Sequence, residues 1–159
     1  MATTTERLMD RALRSVEAGA GSTVDALHLL VADPDEADHT APRPIAEVAE
    51  FLGVSPATLR YYEKLGLVAV DRDASDRRIY STEAVRRLVF LTRMRLSGMP
   101  ITDLQRYVEL VDAGAHTVDD RLDMLLEHRE TIKRQIRELT LSLAATEYKI
   151  ATYGGHTGD

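Results

Sequence analysis

The stretch Ile45-Ala46-Glu47-Val48-Ala49-Glu50-Phe51-Leu52-Gly53-Val54-Ser55-Pro56-Ala57-Thr58-Leu59-Arg60-Tyr61-Tyr62-Glu63 decides the fold. Ile45, Val48, Ala49 and Leu52 follow the i, i+3, i+4, i+7 spacing of an amphipathic helix of about two turns. Gly53 ends that helix. Ser55-Pro56 then supplies an N-cap followed by proline at the first helical position, which predicts a second helix from Pro56 to about Lys64. Two short helices joined by about three residues, with glycine in the turn, have the layout of a helix-turn-helix.

Downstream, Gly66 stops the second helix. Leu67-Val68-Ala69-Val70 is apolar and partly β-branched, and Arg77-Arg78-Ile79-Tyr80 has strand character. These two runs predict a hairpin, or wing, whose tip is Asp71 to Asp76. Ser81 caps a third helix with Val85, Leu88, Val89 and Leu91 on its buried side, ending near Gly98. Pro100 opens a fourth helix, Ile101 to about Ala113, with Leu104, Tyr107, Val108 and Val111 inward.

Beyond Gly114 the pattern changes. Val118, Leu122, Leu125, Arg129, Ile132, Ile136, Leu139, Leu143, Thr146 and Ile150 are separated by alternating steps of four and three, the seam of a coiled coil. A helix with so narrow an apolar stripe needs a partner, and a second copy of the chain is the natural one. The alternative is that the helix folds back on its own domain or on the N-terminal extension.

Upstream, residues 3–32 carry a patchy helical pattern split by Gly19-Ala20-Gly21, followed by the acidic, proline-containing stretch from Asp33 to Pro44. The expected fold is therefore mainly α: a helical N-terminal extension and acidic linker (1–42), a winged helix-turn-helix domain (43–114), a dimerisation helix (115–153) and a flexible tail (154–159).

Charge is distributed in the same segments. The whole chain of 159 residues carries −6, but residues 1–42 carry −5, residues 43–100 carry +3 and residues 101–159 carry −4. Only the middle suits a polyanion. There are no cysteines, which excludes disulfides, thiolate metal sites and cysteine redox sensing. No run reaches the roughly 18 apolar residues of a membrane span, and the N-terminus lacks a signal pattern, so a cytoplasmic protein without a membrane partner is expected.

The five histidines form no close pair and no i, i+4 ligand spacing, and His116, His128 and His156 are expected on solvated surface. No phosphate loop and no nucleophile with its base stand at recognisable spacing. Neither an enzyme nor a cofactor or metal is expected.

The segments Ile45 to Ala49, Leu52 to Ser55, Thr58-Leu59-Arg60-Tyr61-Tyr62-Glu63, Leu65-Gly66-Leu67 and Arg78-Ile79-Tyr80-Ser81 together resemble the DNA-binding domain of the MerR family, and the resemblance runs over roughly residues 44–153. A helix entering the major groove needs a small capped N-terminus and long polar groups outside it, which Ser55, Thr58, Arg60 and Tyr61 provide. Arg60 is the candidate for a guanine edge and Tyr61 for apolar or backbone contact. Tyr62 suits either the core or a phosphate contact through its hydroxyl. In the wing, Arg77, Arg78 and the Tyr80 hydroxyl are candidates for phosphate.

The resemblance implies a homodimeric transcriptional regulator on a pseudo-palindromic operator of double-stranded DNA. It also implies an antiparallel pairing through Leu122, Leu125, Ile132, Ile136, Leu139, Leu143 and Ile150, and a switch that works by distorting promoter DNA. An effector, small molecule or protein, is compatible with it, although no separate ligand domain follows the long helix. Two other roles fit the residues: a protein-interaction module using the acidic extension or the coiled coil, and an effector-independent repressor or architectural protein. The sequence departs from the family pattern at Asp76, where the wing often has glycine, and at Pro100, where serine or threonine usually caps the fourth helix. Asp71, Asp73 and Asp76 would repel phosphate unless they point away or pair with Arg72 and Arg77.

Overall fold

The computed structural model describes residues 41–154, together with Asp10 and Arg14. The expected helical N-terminal extension apart from Asp10 and Arg14, the acidic linker up to residue 40 and the tail from residue 155 lie outside the described residues. The chain divides into two compact units, residues 1–105 and 106–159.

In the first unit, strand β1 (Arg43–Pro44) runs into helix α1 (Ile45–Leu52), which is followed by α2 (Pro56–Lys64), β2 (Asp71–Arg72), β3 (Arg78–Tyr80) and α3 (Thr82–Leu96). Helix α4 (Ile101–Ala113) carries the chain across the division between the units. Both helices of the helix-turn-helix have the predicted bounds, because each is bracketed by strong local signals. Gly53 takes φ 70° after α1, and Val54 N–H donates back to the Ala49 carbonyl at 3.1 Å. Gly66 takes φ 76° after α2, and Leu67 N–H donates to the Tyr62 carbonyl at 3.0 Å. Such left-handed residues close a helix by satisfying its last carbonyls, and a side chain there would be strained.

Val48, Leu59, Leu67, Tyr80, Leu88, Leu91 and Leu104 are the fully buried centre of this unit, one or more from nearly every element. Ser81 caps α3 by accepting from Ala84 N–H at 3.1 Å. The buried side of α3 is Ala84, Val85, Leu88, Leu91 and Thr92, so the expected Val89 is only half-buried and lies at the edge of that stripe. Gln105 Nε2 donates to the Leu65 carbonyl at 3.2 Å and ties the start of α4 to the end of α2.

The wing differs from expectation in register. The apolar run Leu67–Val70 is not a strand: Leu67 and Val68 are buried in the core, and pairing begins at Asp71, which the sequence assigned to the wing tip. The competing principle is burial, since an irregular segment filling the core reads as apolar as a strand does. Arg43–Pro44, read as the end of the linker, pairs instead with β3, Arg43 opposite Tyr80 and Pro44 opposite Ile79. The sheet order among the described residues is β1-β3-β2, all antiparallel, and Pro44 sits on an edge strand where its missing N–H is tolerated.

In the second unit a 3-10 turn (Ala115–Thr117) leads into α5 (Val118–Gly154), 37 residues long and so about 55 Å. Thr117 starts it firmly, its hydroxyl donating to the carbonyls of Leu110 and Gly114. His128, expected on solvated surface, is buried to 7% exposure. It stands between Glu127 and Arg129, so nothing in its immediate sequence marked it as covered. From Lys133 to Gly154 every residue is exposed.

Candidate nucleic-acid interface

Helix α2 is amphipathic in a way that separates support from contact. Leu59 at 0% and Tyr62 at 5% exposure face inward, while Ala57, Arg60, Tyr61 and Lys64 form the outer side. The helix start is fixed by Ser55, whose Oγ accepts from Thr58 N–H at 3.1 Å and lies 2.9 Å from Thr58 Oγ1. Both predicted N-terminal contact residues are thus engaged in the cap, with Ser55 exposed and Thr58 half-buried. Arg60 and Tyr61 are free of such duties, and Tyr61 is half exposed with its ring 6.4 Å from that of Tyr62. Burial pushes the Tyr62 hydroxyl above the usual tyrosine range, an effect that the nearby Arg95 partly offsets. Tyr62 takes the core role of the two that the sequence left open.

The wing tip is organised by Asp73. Its Oδ1 accepts from Ser75 N–H at 2.8 Å and from Arg77 N–H at 2.9 Å, and these backbone donors, Arg77 first, hold the carboxyl below the usual range. Asp76 stands at φ 59°, the left-handed conformation that a glycine adopts easily and that aspartate tolerates better than most residues. Arg72 donates to the Asp76 carbonyl at 3.0 Å and lies 4.0 Å from its carboxylate. The acidic tip is therefore largely answered within the wing, Asp73 by backbone and Asp76 by Arg72. Arg77 is left exposed beside them.

Arg78 has a different position. Its Nε donates to Glu63 Oε2 at 2.6 Å, with the two side chains only 28% and 25% exposed, so the root of the wing is pinned to the last turn of α2. The bond raises the Arg78 pKa further, as expected for a guanidinium held by a carboxylate. Tyr80, expected to offer its hydroxyl to phosphate, is instead fully buried, and that hydroxyl has neither solvent nor a hydrogen-bond partner among the described residues. The reason is packing: the Tyr80 ring fills the core together with Leu59 and Leu88, and its hydroxyl goes in with it. Burial and then the Glu63 charge raise the Tyr80 pKa, while Arg78, Arg60 and Arg72 lower it. That hydroxyl thus lies within electrostatic reach of Glu63 and Arg60 on α2 and of Arg72 on β2 and Arg78 on β3.

What the sequence missed here is the bond between Glu63 and Arg78, and that Asp73 is answered by the backbone N–H groups of Ser75 and Arg77 rather than by an arginine side chain. Local spacing carries no signal for a contact fifteen residues apart. On α5, the predicted seam is largely uncovered in the single chain: Leu122, Ile136, Leu139, Leu143 and Ile150 are 50 to 69% exposed, and Leu125 and Ile132 are half-buried. No helix among the described residues is long and apolar enough to cross a membrane.

Two family models match this chain: that of MerR family regulatory proteins over residues 44–80, and that of the MerR DNA-binding region over residues 85–145. An uncharacterized HTH-type transcriptional regulator of Haemophilus influenzae is 35% identical over 109 residues, 68% of this chain and 81% of that protein. The mercuric resistance operon regulatory protein of Bacillus cereus is 34% identical over 96 residues, 60% of this chain and 73% of that one. Among solved structures, HiNmlR, a MerR family regulator lacking the sensor domain and bound to promoter DNA, superposes with a TM-score of 0.67 at 33% identity, covering 72% of this chain and 92% of that chain.

Proposed function

Because the chain belongs to the MerR family of DNA-binding transcriptional regulators, we propose that it works as a homodimer that sets one α2 and one wing from each copy on the two halves of a pseudo-palindromic promoter operator. The observation that carries this reading is the division of labour on α2, with Leu59 and Tyr62 buried and Arg60 and Tyr61 exposed beside a wing in which Asp73 and Asp76 are internally answered. Arg60 reads a base edge, Tyr61 makes apolar or backbone contact, and Arg77 and Arg78 meet phosphate. The Ser55 and Thr58 hydroxyls shape the helix start at the groove. Its role is regulatory rather than catalytic, and it is exercised on the chromosome, in the cytoplasm.

A dimer with two half-sites on one face of DNA can change transcription by bending and untwisting the segment between them, where it needs few base contacts. A second reading is that the protein regulates without a separate ligand-sensing domain. It draws on the likeness to HiNmlR, which is described as lacking one.

The test is a binding titration on DNA from upstream of the protein's own gene against random DNA of equal length. Arg60→Ala is expected to lose about 1–3 kcal/mol of discrimination between the two, and Arg77→Ala to weaken both alike and reduce the salt dependence by about one phosphate. If the unaltered protein binds both DNAs equally at physiological salt, it is not reading an operator through this surface.

A further inference from the structure

We infer that Glu63 is a positioning residue for operator recognition: through Arg78 Nε it fixes the angle between the reading helix and the wing, so that both engage the same operator half together. Glu63 lies in the last turn of α2 and Arg78 is the first residue of β3, so their 2.6 Å bond joins the two elements that the proposed function brings to DNA. Both side chains are about three-quarters buried, which makes the pair less exposed to screening than a surface ion pair and gives it a defined geometry. The bond occupies Nε alone, and a guanidinium has four further N–H donors, which allows Arg78 to hold Glu63 and still offer a donor outward.

A second observation points the same way. The Tyr80 hydroxyl is buried without a partner two residues along the strand from Arg78, and the Glu63 charge is felt there. The carboxylate's hydrogen bond nonetheless goes to Arg78, so the Tyr80 hydroxyl does not compete for it. The inference rests on the proposed DNA contacts of α2 and the wing, and it makes a prediction that simple electrostatics reverses. A carboxylate near DNA repels phosphate, so removing its charge should by that effect alone tighten binding to any sequence. If Glu63 acts by positioning, its loss weakens the operator complex selectively.

The experiment titrates the full chain and its Glu63→Gln variant with operator and random DNA in parallel, with thermal unfolding of each to verify the fold. The expected result is a fall of about tenfold in the operator-to-random affinity ratio, the scale of one charge-assisted hydrogen bond, with random-DNA affinity unchanged or tighter. In an Arg78→Ala background the same Glu63→Gln change should leave the ratio where it is. Arg78→Lys provides an independent arm, since it keeps the cation but loses the Nε donor; it should lower the ratio as Glu63→Gln does, whether or not the latter folds. Tighter binding of Glu63→Gln to both DNAs alike, an equal loss in the Arg78→Ala background, or an unchanged ratio for Arg78→Lys each overturn the inference. A wild-type chain with no operator preference instead overturns the underlying DNA-reading assignment, which the parallel titration reveals separately.

Discussion

A phenol sealed in a protein core without a hydrogen-bond partner forfeits the bonds it made to water in the unfolded chain, at a cost of roughly 1–3 kcal/mol. Tyr80 is such a residue among those described. Tyr80→Phe keeps the ring and removes the burden, so the variant should be more stable by about 1 kcal/mol and bind operator as the parent does. A Tm that falls together with operator affinity would show that the hydroxyl has a partner in the working protein, phosphate included. Asp73 is the opposite case, an exposed carboxylate with two backbone N–H donors on one of its oxygens. Its carboxyl is held below the ordinary value, first by the Arg77 N–H. The folded-state pKa being depressed, the carboxylate's support for the wing is complete above the unfolded value near 4 and is lost as the pH falls through the lower folded value. In an acid titration followed by NMR, the Ser75 and Arg77 amide shifts should therefore turn over below the midpoint of an unperturbed aspartate. A midpoint at the ordinary value would mean that the two backbone bonds do not persist in solution.

The helices were legible in the sequence because each carries its own punctuation. Gly53 and Gly66 close α1 and α2, Ser55 and Ser81 open α2 and α3, and the apolar spacing between them fixes which side is buried. Ser55→Ala should remove about 1 kcal/mol of stability by leaving the Thr58 N–H without its acceptor, read as a drop in Tm, and should cost less operator discrimination than Arg60→Ala. An unchanged Tm would mean that the cap contributes nothing. The strands were less legible for a physical reason: two- and three-residue strands are too short to show alternation, and their existence depends on a partner elsewhere in the chain. Arg43–Pro44 is a strand only because β3 lies beside it, and Leu67–Val70 reads like a strand because two of its residues fill the core. The same limit explains the candidate site. Arg60 and Tyr61 stand out from the helical period read together with the MerR-like pattern that flanks them, whereas the bond from Arg78 to Glu63 and the burial of Tyr80 are products of tertiary packing.

At the scale of the whole molecule, α5 poses a problem that one copy of the chain does not solve. Ile136, Leu139, Leu143 and Ile150 are 57 to 69% exposed, a contiguous apolar stripe of a kind that monomeric proteins seldom leave in water. Full burial of each such side chain is worth about 1.5–3 kcal/mol. Even partial burial of the seven seam residues from each of two copies can therefore exceed the roughly 4–15 kcal/mol lost when two bodies associate. The alternating four-and-three spacing makes the stripe straight enough for a second helix to follow it, which a scattered set of apolar residues does not. Ile136→Asp places a charge in the middle of the seam and should convert the protein to a monomer in sedimentation at micromolar concentration. Arg134→Asp introduces the same charge on the side of the helix away from the seam and should leave the dimer intact. Neither residue belongs to the core of the first unit, so helix content and the unfolding of that unit should be retained in both. Operator binding should then separate the two variants. A dimer engages its second half-site as an intramolecular event, and losing that advantage should weaken Ile136→Asp by about 100-fold or more while its grip on a single half-site is unchanged. Retention of the dimer by Ile136→Asp, or equal dissociation by Arg134→Asp, would remove the seam as the interface. It would also leave the pseudo-palindromic operator without the two-fold protein it requires.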